Sequence, residues 1–188
     1  PWTIGAGGDR YPVAKKIVKE MNGGDLIEKM HYCGGYREYW SGVKGCEGDA
    51  GNIEIHFVDG IIPGYFWLFP IGGGKVNVGS GLVFGLMDKK KKKLKALQAE
   101  VIANHPSFKD RFADAEMIKG SGKGWQLPFG SPRKGRKNQP RRAYADGALL
   151  IGDAASLVDP FSGEGVGNAL VSGEIAARHV IENNGGSD

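Results

Sequence analysis

The residue types best suited to chemistry lie near the C-terminus, in the run Ile151-Gly-Asp-Ala-Ala-Ser-Leu-Val-Asp-Pro-Phe-Ser-Gly-Glu-Gly-Val-Gly167. The apolar run from Ala148 to Ile151 predicts a buried strand that ends in Gly152, Asp153 and two alanines, Ala154 and Ala155. A carboxylate at the carboxyl end of such a strand can hold a ribose or ribitol hydroxyl. The small residues beside it allow a bulky ligand to approach the backbone.

A glycine-rich helix start follows this strand. After Pro160, the residues Gly163, Glu164, Gly165 and Val166 lead into a helix predicted to extend to about residue 183. A helix that begins in glycines presents N–H groups and positive dipole to a ligand. Directed at a flavin pyrimidine ring, that end would stabilise the anionic reduced form. An ordinary strand–turn–helix unit is the alternative, but the long ordered pattern G-D-A-A-x(4)-P-x(2)-G-x-G favours the flavin site.

Composition limits the class of protein that can position these residues. The chain has 188 residues, 40% hydrophobic and 24% charged, which suits a globular core and excludes a disordered or collagen-like chain. No apolar run reaches the roughly 18 residues that span a bilayer. Two cysteines make no disulfide framework, so we expect reduced thiols and a cytoplasmic location. Scattered histidines and the absence of CxxC or HExxH predict no metal site.

The basic charge is concentrated in two clusters of six residues: Lys89 to Lys93 with Lys95, and Arg133, Lys134, Arg136, Lys137, Arg141 and Arg142. Without them, acidic residues outnumber basic ones. The clusters are either solvated surface segments or attraction sites for nucleic acid, anionic lipid headgroups or a phosphorylated substrate. The ends of the chain, which lack a starting Met, are typical of a piece of a longer protein.

The remaining elements are predicted from periodicity and turn residues. A short strand precedes the glycines at 5–8, Pro12 opens a helix, and a strand lies within residues 31–48. Alternation places Ile53, Ile55 and Phe57 on one face of a strand. Residues 64–70 and 75–84 then continue an antiparallel meander. A helix is predicted over about 89–104, capped by Asp88 and ended by Pro106, with Leu94, Leu97 and Val101 on one face. An extended segment is predicted at 125–129. The last helix is predicted to pack through a stripe of Val166, Leu170, Gly173, Ala177 and Val180. This order favours an α+β fold.

Four stretches resemble the geranylgeranyl reductase family of FAD-dependent oxidoreductases, which have a p-hydroxybenzoate-hydroxylase-like fold. The run from Gly152 to Gly167 is similar to their second FAD motif. Residues 63–70, Pro-Gly-Tyr-Phe-Trp-Leu-Phe-Pro, followed by Val-Asn-Val-Gly at 76–79, are similar to an aromatic substrate motif. Residues 37–43 match R-x-Y-x-x-G-V, and residues 4–13 are similar to G-A-D-G-x-x-S-x-V, with Gly7 in place of Asp and Tyr11 in place of Ser.

The resemblance implies a partial flavoprotein. The N-terminal strand with G-x-G-x-x-G, which holds the ADP half of FAD, is missing from the pattern, so we expect this fragment to bind FAD weakly or not at all and to be inactive by itself. It further implies three segments: 1–20 as part of the FAD-binding domain, 21–142 as an antiparallel-sheet substrate-binding domain with one helix, and 143–188 as the C-terminal part of the FAD-binding domain.

The resemblance also implies roles for individual residues. Gly152, Asp153 and Ala154 would bind the cofactor, with Asp153 on the ribitol chain. The backbone of Gly163, Glu164, Gly165 and Val166 would face the flavin pyrimidine edge, and Pro160 would pack close to the ring. Tyr65, Trp67 and Phe69 would line an apolar tunnel for substrate, and Arg37 would hold a substrate phosphate. The alternatives stay open: core aromatics, a turn-capping Asp153, and an Arg37 paired with a surface carboxylate.

The implied reaction is reduction of isolated C=C bonds in the geranylgeranyl chain of a lipid or a prenyl diphosphate, by hydride from FAD that NADPH or another reductant has reduced. Expected partners are the prenyl substrate and, as an open alternative, the membrane surface through peripheral contact; no nucleic acid is expected. An FAD-dependent monooxygenase or halogenase of the same fold is one alternative. A module that binds nucleic acid or an anionic surface through the basic clusters is another.

Overall fold

The computed structural model describes residues 1–9, 12–22, 29–47, 51–90, 93–130, 132–133 and 136–184, with backbone alone for 22, 89–90, 132–133, 136–140 and 184. Tyr11 and most side chains of the two basic clusters therefore lie outside the described residues. In chain order the elements are β1 (Thr3–Gly5), α1 (Pro12–Asn22), a 3₁₀ turn (Lys29–His31), β2 (Tyr32–Ser41), β3 (Glu54–His56), β4 (Gly64–Pro70), β5 (Lys75–Val83), α2 (Phe84–Lys90), α3 (Leu94–Asn104), β6 (Glu116–Met117), β7 (Lys123–Pro128), β8 (Pro132–Arg133), β9 (Arg136–Pro140), β10 (Tyr144–Ala145), β11 (Ala148–Leu150), a second 3₁₀ turn (Gly152–Ala155) and α4 (Val166–Asn184).

The chain folds as two compact units, in which unit 1 comprises Pro1–Tyr32 with Leu127–Asp188, and unit 2 comprises Cys33–Gln126. The boundaries lie at 32/33 and 126/127, not at the predicted 20/21 and 142/143. Packing explains the difference, because α1 shares a core with the residues that follow β11, and the Phe129 N–H donates to the His31 carbonyl oxygen at 2.8 Å. These contacts attach the segments after residue 20 and before residue 143 to unit 1.

Unit 1 is built on a three-stranded sheet of order β1-β11-β10. The predicted first strand pairs in parallel with β11, with Gly5 opposite Leu150, and β10 runs antiparallel to β11. Ala14 and Ile17 of α1 pack with Leu150 and the alanines of the second 3₁₀ turn. Gly5 is required here, because a Cβ would lie 2.6 Å from a Leu150 methyl carbon. The sheet and α1 therefore hold the turn that follows β11.

Unit 2 is built on an antiparallel sheet of order β3-β4-β5-β2-β6, with β7 also pairing β2. The predicted β3-β4-β5 meander is confirmed. One face of the sheet is covered, since Phe66, Leu68 and Val78 pack with Val101 of α3 and with Phe108 in a buried core. Because side chains alternate along a strand, the residues between these project from the other face.

Two helix predictions needed correction. The helix predicted over 89–104 is two helices, α2 and α3; Asp88 lies inside α2, and Lys93, at the position before α3, makes no side-chain cap. The Lys run contains no capping side chain, so nothing local begins a helix at residue 89. The shared buried face of Leu94, Leu97 and Val101 is confirmed. His105 is extended before Pro106, which accounts for the helix end.

The predicted stripe on α4 was wrong at Val166, Leu170 and Ala177, which are exposed. Val166 and Leu170 are 74% and 71% exposed, whereas Ala176 is buried. Ser172 accepts a hydrogen bond from the Gly152 N–H at 3.0 Å, and Ala169 lies against Gly152, so the helix packs through this polar and small face. β11 is shorter than predicted, with Leu150 buried and its neighbours half-buried. No described helix is both long and apolar enough to span a membrane.

Candidate functional site

The turn after β11 is strongly constrained. Ile151 is extended, Gly152 has a φ of +55°, and Ser156 adopts the left-handed conformation with a φ of +61°, which is uncommon for a residue other than glycine. The Ser156 N–H donates to the Asp153 carbonyl oxygen at 3.0 Å, and the Ser156 hydroxyl accepts from Arg141 at 3.0 Å. Backbone geometry and the partly buried contact of Arg141 with Ser156 therefore constrain the turn that contains Asp153.

Asp153 and Gly165 line the same small space. A Cβ on Gly165 would lie 3.4 Å from the Asp153 Oδ1 atom and 3.2 Å from a Val158 methyl carbon. Burial, and then the charge of Asp9, raise the pKa of Asp153 above its ordinary value. Asp9 is itself only 4% exposed and was not predicted as a site residue. Its signal in the sequence is weak, since it stands two residues after Gly7, the position where the family motif has Asp.

The loop between the turn and α4 is organised by Asp159. Its Oδ1 atom accepts hydrogen bonds from the Ser162 N–H and hydroxyl, both at 2.7 Å, and from the Phe161 N–H at 3.1 Å. These bonds lower the pKa of Asp159. The Asp159 N–H donates to the Glu164 carbonyl oxygen at 2.7 Å, which closes the loop. The glycines at 163 and 165 are thereby held at the start of α4.

The predicted backbone donors divide into two groups. The Gly163 N–H donates to the Asp159 carbonyl oxygen, and the Glu164 carboxylate accepts from the Gly167 N–H at 2.6 Å, so Glu164 caps α4 with its side chain. Val166 opens α4, and the N–H groups of Gly165 and Val166 donate to no described residue. A ligand at this helix end would therefore meet these two donors. Pro160 is exposed at the surface of the loop.

The aromatic residues predicted to bind substrate share one face of β4. Tyr65, Trp67 and Phe69 are half-buried, whereas Phe66 and Leu68 between them are fully buried in the core on the other face. The ring centroids of Tyr65–Trp67 and Trp67–Phe69 are 5.8 Å apart in each pair. We call these three residues the aromatic row. They lie on the face opposite the core of unit 2, and their binding role stays a prediction.

Two glycines of β5, Gly79 and Gly81, lie beneath the aromatic row, and we call them the glycine floor. Gly79 stands opposite Trp67 and Gly81 opposite Tyr65. A Cβ on Gly79 would overlap ring carbons of Trp67, so the indole lies on the backbone of β5. The indole N–H donates to Asn77 Oδ1 at 3.1 Å. The pair of glycines inside a strand is a sequence signal of close approach that the sequence analysis did not use.

Arg37 and Cys33 lie on the same face, on β2. Arg37 stands opposite Gly79 and Cys33 opposite Val83. The Arg37 Nη1 atom donates to the Ser121 carbonyl oxygen at 2.6 Å, and its guanidinium lies 4.3 Å from the Tyr39 ring centroid. Arg37 is thus fixed by a backbone carbonyl rather than by a surface carboxylate. Burial raises the pKa of Cys33 to about 11, so its thiol is neutral.

A charged cluster fixes the edge strand from the covered face. Arg111 donates two hydrogen bonds of 2.7 Å to the Glu54 carboxylate, and the His56 ring nitrogen lies 2.8 Å from the same carboxylate. The Arg111 hydrogen bonds lower the pKa of Glu54 to about 2. Cys46 is buried beside Arg111, and burial raises the pKa of its thiol. Among the described residues, no group of three or more His, Cys, Asp or Glu side chains could hold a metal ion.

Solved structures show the fold of the chain. The chain superposes on a geranylgeranyl bacteriochlorophyll reductase-like protein of Thermoplasma acidophilum with a TM-score of 0.73 and 24% identity, over 97% of this chain and 42% of that one. It superposes on a flavin-dependent brominase, Bmp2, with a TM-score of 0.67 and 20% identity, over 100% of this chain and 44% of that one. The predicted α+β fold, part of a p-hydroxybenzoate-hydroxylase-like flavoprotein, is confirmed.

Curated relatives define the family. Digeranylgeranylglycerophospholipid reductase 2 of Methanopyrus kandleri is 36% identical over 130 residues, which are 69% of this chain and 29% of that protein. The digeranylgeranylglycerophospholipid reductase of Thermoplasma volcanium is 35% identical over 143 residues, 71% of this chain and 33% of that protein. No protein-family model matches the chain. The chain is therefore homologous to one part of the geranylgeranyl reductases, which confirms the family predicted from its motifs, and it spans about a third of the length of these relatives.

Proposed function

We propose that this chain supplies the flavin-binding turn and the substrate sheet of an FAD-dependent oxidoreductase that reduces C=C bonds in the geranylgeranyl chains of lipids or prenyl diphosphates. The observation that supports it most directly is the aromatic row on the uncovered face of the sheet. An isolated alkene offers no hydrogen bond, so apolar area and shape must recognise it. The homology to digeranylgeranylglycerophospholipid reductases supports the same substrate class.

The residues of unit 1 fit a flavin. Gly165 leaves a space that a Cβ would fill, and Asp153 lines that space with a carboxylate. In the proposal, Asp153 accepts a hydrogen bond from a ribitol hydroxyl, and Gly152 and Ala154 allow the ligand to approach the backbone. The N–H groups of Gly165 and Val166 bind the pyrimidine edge, while Gly163 and Glu164 shape the loop and Pro160 packs beside the ring. When bound, FAD supplies the hydride transfer to the alkene.

The residues of unit 2 fit an apolar chain with an anionic head. Tyr65, Trp67 and Phe69 offer ring faces to the prenyl chain, and the glycine floor brings Trp67 close to the backbone. Arg37 has five N–H donors in its guanidinium and uses Nη1 on Ser121, which leaves donors for a phosphate. The neutral Cys33 thiol adds no charge to this face.

The proposal extends to the setting of the reaction. NADPH or another reductant would supply the electrons, and the protein would act in the cytoplasm with peripheral contact to the membrane that holds its lipid substrate. Halogenases share the fold of this chain, but the curated relatives favour reduction over monooxygenation or halogenation.

Anaerobic flavin reoxidation tests the proposal. The full-length protein, loaded with FAD and reduced chemically, is mixed with a geranylgeranyl lipid or with its saturated analogue. We expect the unsaturated lipid alone to restore the spectrum of oxidised flavin. Reoxidation that requires oxygen and halide, or none with any prenyl compound, would contradict the substrate class.

An Asp153→Asn variant tests the cofactor turn separately. Asparagine keeps an acceptor oxygen but loses the charge, which weakens the hydrogen bond by about 1–1.5 kcal/mol, so we expect FAD affinity to fall roughly 5- to 10-fold. Asp146→Asn, an exposed carboxylate in the β10–β11 turn, is the matched control and should leave the affinity unchanged. Equal affinities for the Asp153 variant and the control would remove Asp153 from the cofactor site.

A further inference from the structure

The aromatic row has an apolar neighbour on the edge strand. Ile53, Ile55 and Phe57 are 70%, 46% and 61% exposed. Ile55 stands opposite Trp67 in the β3–β4 register, and the Phe57 ring centroid lies 6.5 Å from that of Tyr65. Ile55 and Phe57 therefore lie on the same face as the aromatic row, and together with Ile53, which precedes β3, we call them the edge row.

The polar side chains of β3 lock this orientation. Glu54 and His56 point to the covered face, where Glu54 binds the Arg111 guanidinium and the His56 ring contacts Phe108 with centroids 4.8 Å apart. Because side chains alternate with a period of two, a strand held by its polar face must present its other residues outward. The exposure of the edge row is thus built into the sheet rather than a consequence of a loose strand.

The register places four residues in one line across the sheet. Arg37 of β2 stands opposite Gly79 of β5, Gly79 opposite Trp67 of β4, and Trp67 opposite Ile55 of β3. Neighbouring strands are about 4.8 Å apart, so roughly 14 Å of backbone separates Arg37 from Ile55. The line runs from a cation, over a position without a side chain, to an aromatic ring and then to an aliphatic residue at the open edge.

The distribution of charge and apolar surface along this line indicates which kind of ligand can bind there. The two rows contain no charged side chain, and contiguous exposed apolar surface marks an interaction site. The cation of this line, Arg37, stands at the end opposite the edge row, and the exposed Lys75 lies on the same face at the start of β5, opposite Ser41. A molecule with an anionic head and a long uncharged tail matches that order, whereas a polyanion would meet an uncharged surface over most of the line.

We propose that the edge row binds the distal isoprene units of a prenyl chain whose proximal units lie on the aromatic row, and that β3 thereby sets the chain length that the protein prefers. This inference rests on the proposed function. A four-unit chain anchored near Arg37 reaches Ile55, whereas a two-unit chain ends on the aromatic row. Ile55 is then a specificity-determining residue for long chains.

The test compares chain lengths in the full-length protein. Binding of geranylgeranyl diphosphate and of geranyl diphosphate is measured at equilibrium by the quenching of tryptophan fluorescence, without any turnover. Ile55→Thr keeps the β-branched shape of a strand residue and replaces the ethyl group by a hydroxyl. We expect it to weaken the binding of geranylgeranyl diphosphate about tenfold and to change the binding of geranyl diphosphate less than twofold. Ile55→Val, which stays apolar, should retain most of the preference.

Met117→Thr is the matched control, since Met117 is exposed at the far edge of the sheet, opposite Trp40 on the covered side of β2. It should leave both affinities unchanged. If the wild type binds neither diphosphate, the proposed function fails. If the wild type binds both and Ile55→Thr lowers neither affinity, or lowers both equally, the edge row is not a chain-length determinant although the proposed function stands. Loss of a dimer in Ile55→Thr with unchanged binding would instead assign the edge row to a contact between copies.

Discussion

Replacing Gly79 by Ala should damage the aromatic row without altering any aromatic residue. A Cβ at this position would overlap Trp67 ring carbons and lie 2.7 Å from the Tyr36 carbonyl oxygen. The Tyr36 carbonyl belongs to a strand paired on both sides, so it cannot yield. The indole of Trp67 must therefore move away from the strand.

The magnitude follows from the contacts that hold Trp67. Displacement breaks the hydrogen bond to Asn77, worth about 0.5–1.5 kcal/mol, and disturbs the ring contacts with Tyr65 and Phe69, worth about 0.5–1.5 kcal/mol each. The reduced entropy of the unfolded chain offsets about 0.4–1 kcal/mol of this loss. We expect a net decrease of about 2 kcal/mol in the free energy of unfolding.

The assay is urea unfolding followed by circular dichroism, with Gly81→Ala as the matched control. A Cβ on Gly81 would lie 3.3 Å from the Cys33 sulfur and farther from other atoms, so the Cys33 side chain can yield and the expected change is within about 0.5 kcal/mol. Tryptophan emission should shift to longer wavelength in Gly79→Ala alone. Equal stability of the two variants, together with unchanged emission, would show that the indole does not lie on Gly79.

Two further predictions concern the covered face of the sheet. Glu54 has a folded-state pKa of about 2 against an ordinary value of 4.5, so its contribution to stability is complete above about pH 4.5 and is lost as the pH falls through about 2. In Glu54→Gln, the urea midpoint of unit 2 should therefore depend less on pH over that interval. A pH dependence equal to that of the wild type would refute the role of the Arg111 contact. Gln98 accepts a hydrogen bond from the Ser80 hydroxyl at 3.0 Å and donates one to Glu38 at 3.4 Å. Gln98→Leu should therefore lower the free energy of unfolding by about 1–3 kcal/mol. Lys95→Leu, on the exposed side of α3, is the control and should change it by less than about 0.5 kcal/mol. A Gln98 variant as stable as the Lys95 variant would mean that the buried network contributes nothing.

Local signals predicted the elements that depend on neighbours in the chain. The patterns over residues 64–70 and 75–84 predicted two paired strands, observed at 64–70 and 75–83, and the shared face of Tyr65, Trp67 and Phe69, because a strand has a side-chain period of two whatever it packs against. The pattern of glycines and acidic residues from Gly152 to Gly167 likewise predicted the turn and the start of α4. Leu94, Leu97 and Val101 were predicted correctly as one helical face for the same reason.

The sequence did not predict correctly which face of a helix packs against its neighbours or where a helix begins when local residues allow more than one answer. The apolar residues Val166 and Leu170 suggested the packing face of α4, but a hydrogen bond between Ser172 and Gly152 sets it elsewhere. The Lys run offered no cap, and α3 begins at Leu94, where its leucines reach the sheet. Burial, and then the charge of Asp9, raise the pKa of Asp153, and both depend on residues far from it in the sequence that no local pattern connects.

The amino-acid sequence by itself determined the family, the strands of the meander, the aromatic row and the glycine-rich turn, because motif spacing and period-two alternation are properties of short segments. The tertiary structure decided which face of each element is covered. Pairing across strands placed Arg37, Gly79, Trp67 and Ile55 in one line, and the contacts of Glu54 with Arg111 and of His56 with Phe108 turned Ile55 outward. Such choices depend on interactions between residues far apart in the chain, and these form only when the chain has folded.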